Sequence, residues 1–131
     1  RMGSRHVMVV HGEDGLDEIT LRGKTYVAEL KNGAVHEYTL CPSEFGFNQC
    51  GAEDLYVADA AQAKAVLLQV LANQAGPARD IVCLNAGAAI YVAGKTTSLA
   101  EGIARAQEAL STGAAQQKLQ SLIEYTNQAV V

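Results

Sequence analysis

The chain lacks any run of basic residues. Its ten Lys and Arg are scattered, no two of them adjacent, and the formal net charge is −4. A nucleic-acid-binding surface needs clustered cations to neutralise phosphates, so that class of partner is disfavoured. Cysteine is sparse. Cys41, Cys50 and Cys83 form neither a metal-ligand spacing nor an even set for a disulfide framework. Reduced thiols in a cytoplasmic protein are the expectation. Cys41 and Cys50 flank one loop, but no bridge between them is expected. Long apolar runs are missing too: Asn85, Gly87, Gly94 and polar residues break every stretch well before the roughly 18 residues that a membrane span requires. No secretory-signal pattern is visible, and no membrane partner is expected.

What remains is ordinary globular sequence. The 131 residues, 49% hydrophobic and 18% charged, suffice for one domain with one core. The most informative stretch is Val7 to Glu18. An apolar run, Val7-Met8-Val9-Val10, stops at His11-Gly12, and the acidic turn Glu13-Asp14-Gly15-Leu16 then ends in two adjacent carboxylates, Asp17 and Glu18. This pattern predicts a strand that delivers acid groups to one end of a sheet. Hard cations such as Mg²⁺ are held at such places by one or two carboxylates, completed by substrate phosphates. Neighbouring carboxylates repel unless a cation shares them. Successive residues of a strand face opposite ways, so both can reach one ion only if the backbone turns.

The first half of the chain reads as strands. His6 to Val10 is apolar on both faces, which predicts parallel neighbours with helices on either side. Asp17 to Leu21 is expected to form a short strand. Lys24–Leu30 and Ala34–Leu40 alternate about Lys31-Asn32-Gly33, a hairpin signal. Residues 41 to 58, with Phe45 and Phe47 among glycines and a proline, are expected to form an ordered loop pinned by its aromatics. Four helices follow, over Ala60–Asn73, Ala78–Ala93, Ser98–Ser111 and Ala115–Asn127. Asp59 and the Ser98-x-x-Glu101 capping box mark two starts. The second helix is apolar nearly all round, which predicts burial. Strands first and helices second would by themselves suggest α+β, but the doubly apolar first strand points to α/β. A core-like strand begins within a few residues of Arg1 with no earlier element to pair with, which predicts a piece of a larger sheet.

Several stretches, taken in order, are similar to one family. They are Gly3-Ser4-Arg5-His6-Val7, Val10 through Ile19, Val27-Ala28-Glu29-Leu30, Tyr38-Thr39-Leu40 and Gly76-Pro77-Ala78-Arg79-Asp80. Asn85-Ala86, Tyr91-Val92-Ala93-Gly94 and Ser98-Leu99-Ala100-Glu101-Gly102 complete the set. Together they resemble the C-terminal part of anthranilate phosphoribosyltransferases. The resemblance implies that residues 1–131 are the C-terminal portion of a mostly parallel α/β domain covered by helices, with a β-hairpin and four C-terminal helices. It implies transfer of phosphoribose from 5-phosphoribosyl 1-diphosphate (PRPP) to anthranilate, with Mg²⁺ as cofactor held by Asp17 and Glu18. It also implies an upstream part of the same polypeptide and a homodimer when intact. The family's Gly-Thr-Gly-Gly-Asp diphosphate loop, its Lys-His-Gly-Asn stretch and its anthranilate-binding arginine have no counterpart here, so no catalytic residue is assigned and the isolated chain is expected to be inactive. Tyr56-Val57-Ala58-Asp59 departs from the Gly-Gly pair usual before the first of these helices. The alternative function is a non-catalytic relative of the same fold that binds another ligand or nucleic acid.

The remaining candidates have plainer roles. Glu13 and Asp14 are expected to be turn formers. His11 is expected to be a hydrogen-bonded histidine at a strand end, while His6 and His36 show no catalytic spacing. Cys83 is expected to be a small buried hydrophobe. Asn85 is expected to fix its helix against the sheet by hydrogen bonding.

Overall fold

The computed structural model describes residues 3–128. Three strands, β1 (His6–Gly12), β2 (Thr25–Lys31) and β3 (Ala34–Leu40), form one sheet in the order β1-β2-β3. Both pairings are antiparallel: His6 lies opposite Lys31 and Gly12 opposite Thr25, while Thr25 pairs with Leu40 and Lys31 with Ala34. Asn32 (φ 52°) and Gly33 (φ 80°) make the two-residue turn, the left-handed pair that matches the twist of a tight hairpin. The parallel neighbours expected for β1 are not found among the described residues. β1 is instead an edge strand, and Val9 on its outer side is 64% exposed.

The β2 alternation holds, with the buried side reversed from what hydropathy suggests. Thr25, Val27 and Glu29 face inward, and Tyr26 on the other side is exposed. Glu29 is 8% exposed. Its Oε1 accepts the Tyr91 hydroxyl at 2.8 Å and lies 2.7 Å from His6 Nε2, while its Oε2 accepts the Tyr38 hydroxyl at 2.7 Å. Lys31 Nζ donates to the Tyr91 oxygen at 2.8 Å, and the His6 and Tyr91 rings meet edge to face with centroids 4.7 Å apart. A carboxylate is tolerated inside because its oxygens are satisfied.

After β3, two short 3-10 turns (Pro42–Phe45 and Glu53–Leu55) punctuate the loop, and Phe47 is buried as its anchor. The helices are α1 (Ala60–Leu71), α2 (Pro77–Val92), α3 (Leu99–Ser111) and α4 (Ala114–Gln128). Asp59 Oδ1 accepts Gln62 N at 2.8 Å, and Ser98 Oγ accepts Glu101 N at 3.2 Å. Glu101 reaches one residue further back than a simple box, to the Thr97 N–H and hydroxyl. The Thr97 amide is the main reason its carboxyl lies below the ordinary value. Burial of α2 all round is not observed: Cys83, Leu84, Gly87 and Tyr91 face inward, while Val82 is 41% exposed.

The core gathers Ile19, Leu21, Val27, Leu40, Phe47, Val70, Cys83, Leu84, Ile103 and Leu110. Its tightest point is the crossing of α2 and α3. A Cβ on Gly87 would stand 2.6 Å from the Ile103 backbone, and one on Gly102 would collide with the Gly87 carbonyl. The two backbones touch where neither residue carries a side chain. Cys41 and Cys50 are free thiols, half-buried, and Cys83 is a fully buried one.

Two outcomes follow from this packing. Gly102→Ala must separate the helices and should cost about 1–3 kcal/mol or more, read from the urea midpoint. Glu29→Leu should destabilise by about 1.5–3 kcal/mol through the loss of charge-assisted hydrogen bonds. The pH dependence has a definite sign. Burial raises the Glu29 pKa, but the hydrogen bonds from Tyr38, Tyr91 and His6 outweigh it and leave the carboxyl below its ordinary value. The ionised form thus stabilises the fold fully above the unfolded carboxylate value of about 4.3. That contribution fades as pH falls below it toward the depressed folded value. In acid titrations monitored by urea unfolding, the gap between wild type and Glu29→Leu should narrow over that range.

Candidate functional site

The acidic turn is built from its own backbone. Gly12 N donates to Leu16 O at 2.8 Å, Gly15 N to Gly12 O at 2.9 Å, and Glu13 N to Lys24 O at 2.8 Å. Gly15 adopts φ 89°, a conformation that favours glycine. Glu13 and Asp14 are turn formers, as their sequence context predicts. Glu13 Oε2 accepts Lys24 N, while Asp14 accepts Leu16 N through Oδ1 and the Thr20 hydroxyl through Oδ2. Arg22 Nη1 lies 3.3 Å from the same Asp14 oxygen.

The short strand expected at Asp17 to Leu21 does not form. The backbone bends at both Asp17 and Glu18 and continues as coil, yet Ile19, Thr20 and Leu21 are almost wholly buried. Side chains replace a strand partner. Asn85 of α2 accepts Ile19 N through Oδ1 at 2.9 Å and donates Nδ2 to Ile19 O at 2.9 Å. Thr20 N donates to Thr25 Oγ1 at 3.0 Å. Buried backbone groups must find partners, and here a helix and a strand terminus provide them. Asn85 does hydrogen-bond its helix to the rest of the core, but to this segment of coil and not to the sheet as expected.

The bends free Asp17 and Glu18 from the alternation that would send neighbouring strand side chains apart. Both are exposed, and neither side chain makes a hydrogen bond or ion pair among the described residues. They lie on one wall of a cleft of about 680 Å³. The lining also includes Tyr56 and Val57 from the loop, Leu67 from α1 and Val82 from α2. Asp54 adds a carboxylate that also accepts Gly51 N at 2.7 Å. Arg79, at the start of α2, lines the same cleft while its Nε donates to Asn73 Oδ1 at 2.7 Å.

No group of three or more His, Cys, Asp or Glu suited to holding a metal occurs among the described residues. Two free carboxylates are nevertheless the oxygen donors that Mg²⁺ takes from a protein when substrate phosphates supply the rest, so the residues present fit that ion. His11 departs from expectation: it is exposed and makes no side-chain hydrogen bond among the described residues. Tyr56, Val57 and Asp54 had no signal in the sequence beyond a departure from a glycine pair, because a cleft wall formed by a loop has no periodicity to read.

Comparison with known proteins bears on the chain as a whole. The chain is 66% identical to anthranilate phosphoribosyltransferase of Laribacter hongkongensis over 127 residues, 97% of this chain and 37% of that protein. It is 60% identical to the enzyme of Thiobacillus denitrificans over 98% of this chain and 38% of that protein. The chain thus spans little more than a third of the length of these relatives. The crystal structure of anthranilate phosphoribosyltransferase from Thermus thermophilus superposes with a TM-score of 0.82 at 38% identity, covering 92% of this chain and 35% of that one. The Saccharomyces cerevisiae enzyme, solved in complex with PRPP and Mg, shares the fold with a TM-score of 0.82 at 23% identity, covering 94% of this chain and 36% of its own. Residues 1–116 match the profile of the glycosyl transferase family, a/b domain. The match runs from the first strand into the last helix, and the chain belongs to this glycosyl transferase family.

Proposed function

We propose that residues 1–131 form the C-terminal portion of the α/β domain of an anthranilate phosphoribosyltransferase. In this reading the chain contributes the acidic wall of a site that transfers phosphoribose from PRPP to anthranilate. The observation that carries it is the pair Asp17 and Glu18, exposed, unpaired among the described residues and side by side on the cleft. The high identity to relatives bearing that enzyme's name supports the choice of substrates.

Asp17 and Glu18 are the residues that would hold Mg²⁺. When bound, the ion neutralises charge on the departing diphosphate. The chain's own work is to keep two carboxylates adjacent and unengaged. The Gly12–Leu16 turn and the bends at Asp17 and Glu18 achieve this by fixing backbone on both sides while leaving the side chains free. Val57, Leu67 and Val82 add apolar surface to the same cleft. The diphosphate and anthranilate contacts come from the upstream part of the same polypeptide, and the intact enzyme is a cytoplasmic homodimer.

The test is Asp17→Asn combined with Glu18→Gln in the full polypeptide. Loss of ion-mediated charge stabilisation should lower kcat/KM for PRPP on the order of 100-fold or more, and Mn²⁺ binding in the presence of PRPP should disappear from electron paramagnetic resonance titrations. Wild-type turnover in that variant would overturn the metal role. Residues 1–131 alone should show no turnover until the upstream part is supplied.

A further inference from the structure

We propose that Asn85 is the positioning residue of the Asp17–Glu18 pair, holding the two carboxylates in register from helix α2. The inference rests on the metal-binding reading above and extends it to a side chain that touches neither ion nor substrate.

Three hydrogen bonds from one amide carry the argument. Oδ1 accepts Ile19 N at 2.9 Å; Nδ2 donates to Ile19 O at 2.9 Å and to Ile81 O at 3.0 Å. Both amide protons are used. The bond to Ile81, one turn back on the same helix, fixes the rotamer. The two bonds to Ile19 then grip the residue that follows Glu18. The Glu18–Ile19 peptide, whose orientation helps to set where the Glu18 side chain points, is therefore held by a helix and not by a sheet ladder. On the other side of the pair, the turn is closed by the Gly12–Leu16 bond. Asp17 and Glu18 are the two residues between these fixed points.

The helix behind the clamp cannot shift to follow a loosened loop. Two residues beyond Asn85, Gly87 packs directly on the α3 backbone. Thr25 Oγ1 holds the next amide, Thr20 N, at 3.0 Å, so the first two of the three buried residues are each held by a side chain. The choice of asparagine is chemically specific. Aspartate keeps the acceptor for Ile19 N but sets a carboxylate against the Ile19 and Ile81 carbonyls. Alanine leaves the Ile19 groups without either partner. Outer-shell partners of metal ligands act in this way, by orienting donors they do not replace.

The experiment uses the full polypeptide with Asn85→Ala, Asn85→Asp, Asp17→Asn plus Glu18→Gln, and Ile103→Val. The last removes one methyl group from the α2–α3 seam and leaves both the clamp and the Gly87 backbone contact in place. Two quantities are read: Mn²⁺ affinity in the presence of PRPP, and amide hydrogen exchange of residues 17–20 in the metal-free protein. Asn85→Ala and Asn85→Asp should each weaken Mn²⁺ binding about 10- to 100-fold and accelerate exchange at Ile19, with Ile103→Val unchanged in both. Asn85→Asp decides the matter if Asn85→Ala does not fold. Unchanged Mn²⁺ affinity in the Asn85 variants, with binding abolished in the double carboxylate variant, overturns the positioning role and leaves the metal reading standing. An equal loss in Ile103→Val shows a general effect of stability and also overturns it. Retained Mn²⁺ binding in the double carboxylate variant overturns both.

Discussion

The structure turns on one bidentate amide. By pairing with both backbone groups of Ile19, Asn85 lets a stretch of coil pass through the core between sheet and helices without a strand partner. Buried coil is expensive because every peptide group in it must be satisfied. Asn85 meets that requirement for Ile19, and Thr25 meets it for the Thr20 amide. The acid-bearing residues can then bend out of strand geometry while the next three side chains remain in the core.

A second polar contact pins the same helix six residues later. Tyr91 donates to buried Glu29 on the central strand and receives Lys31. Helix α2 is thus tied by side-chain chemistry to the acidic loop at its middle and to the sheet near its end, while the Gly87–Gly102 contact fixes it against α3. Apolar packing supplies most of the driving force for a core of this kind, but it is non-directional. The amide, the carboxylate and the close backbone approach set where the helix stops.

Much of this was legible in the sequence where a local rule governs. Asn32-Gly33 marks the hairpin and Asp59 caps α1 as written, and Gly76-Pro77 and Gly94 bracket α2. Asn85 stood out as a hydrogen-bonding residue on an apolar helix, though the partner is coil at Ile19 and not the sheet. The misses share a cause: each depends on a neighbour distant in sequence. Asp17 to Leu21 looks like a strand until Asn85, over sixty residues away, takes the place of a ladder. Glu29 looks like a solvent-facing residue until His6, Tyr38 and Tyr91 converge on it. The pairing of the apolar first strand with β2 was not read either, and it is antiparallel. The acidic pair itself was visible only as a motif. Its exposure, its bends and its place on a cleft needed the fold.

Cys83 gives this architecture an internal reporter. It sits on α2 between Arg79 and Asn85 with no exposed surface, and burial chiefly pushes its thiol pKa up. The thiolate is the nucleophile that attacks an alkylating reagent, so this sulfur is shielded by both access and ionisation as long as α2 stays seated. Cys41 and Cys50 are only half-buried. Modification of Cys83 therefore times the moments when the helix lifts from the sheet, a clock read by mass spectrometry without any engineered label.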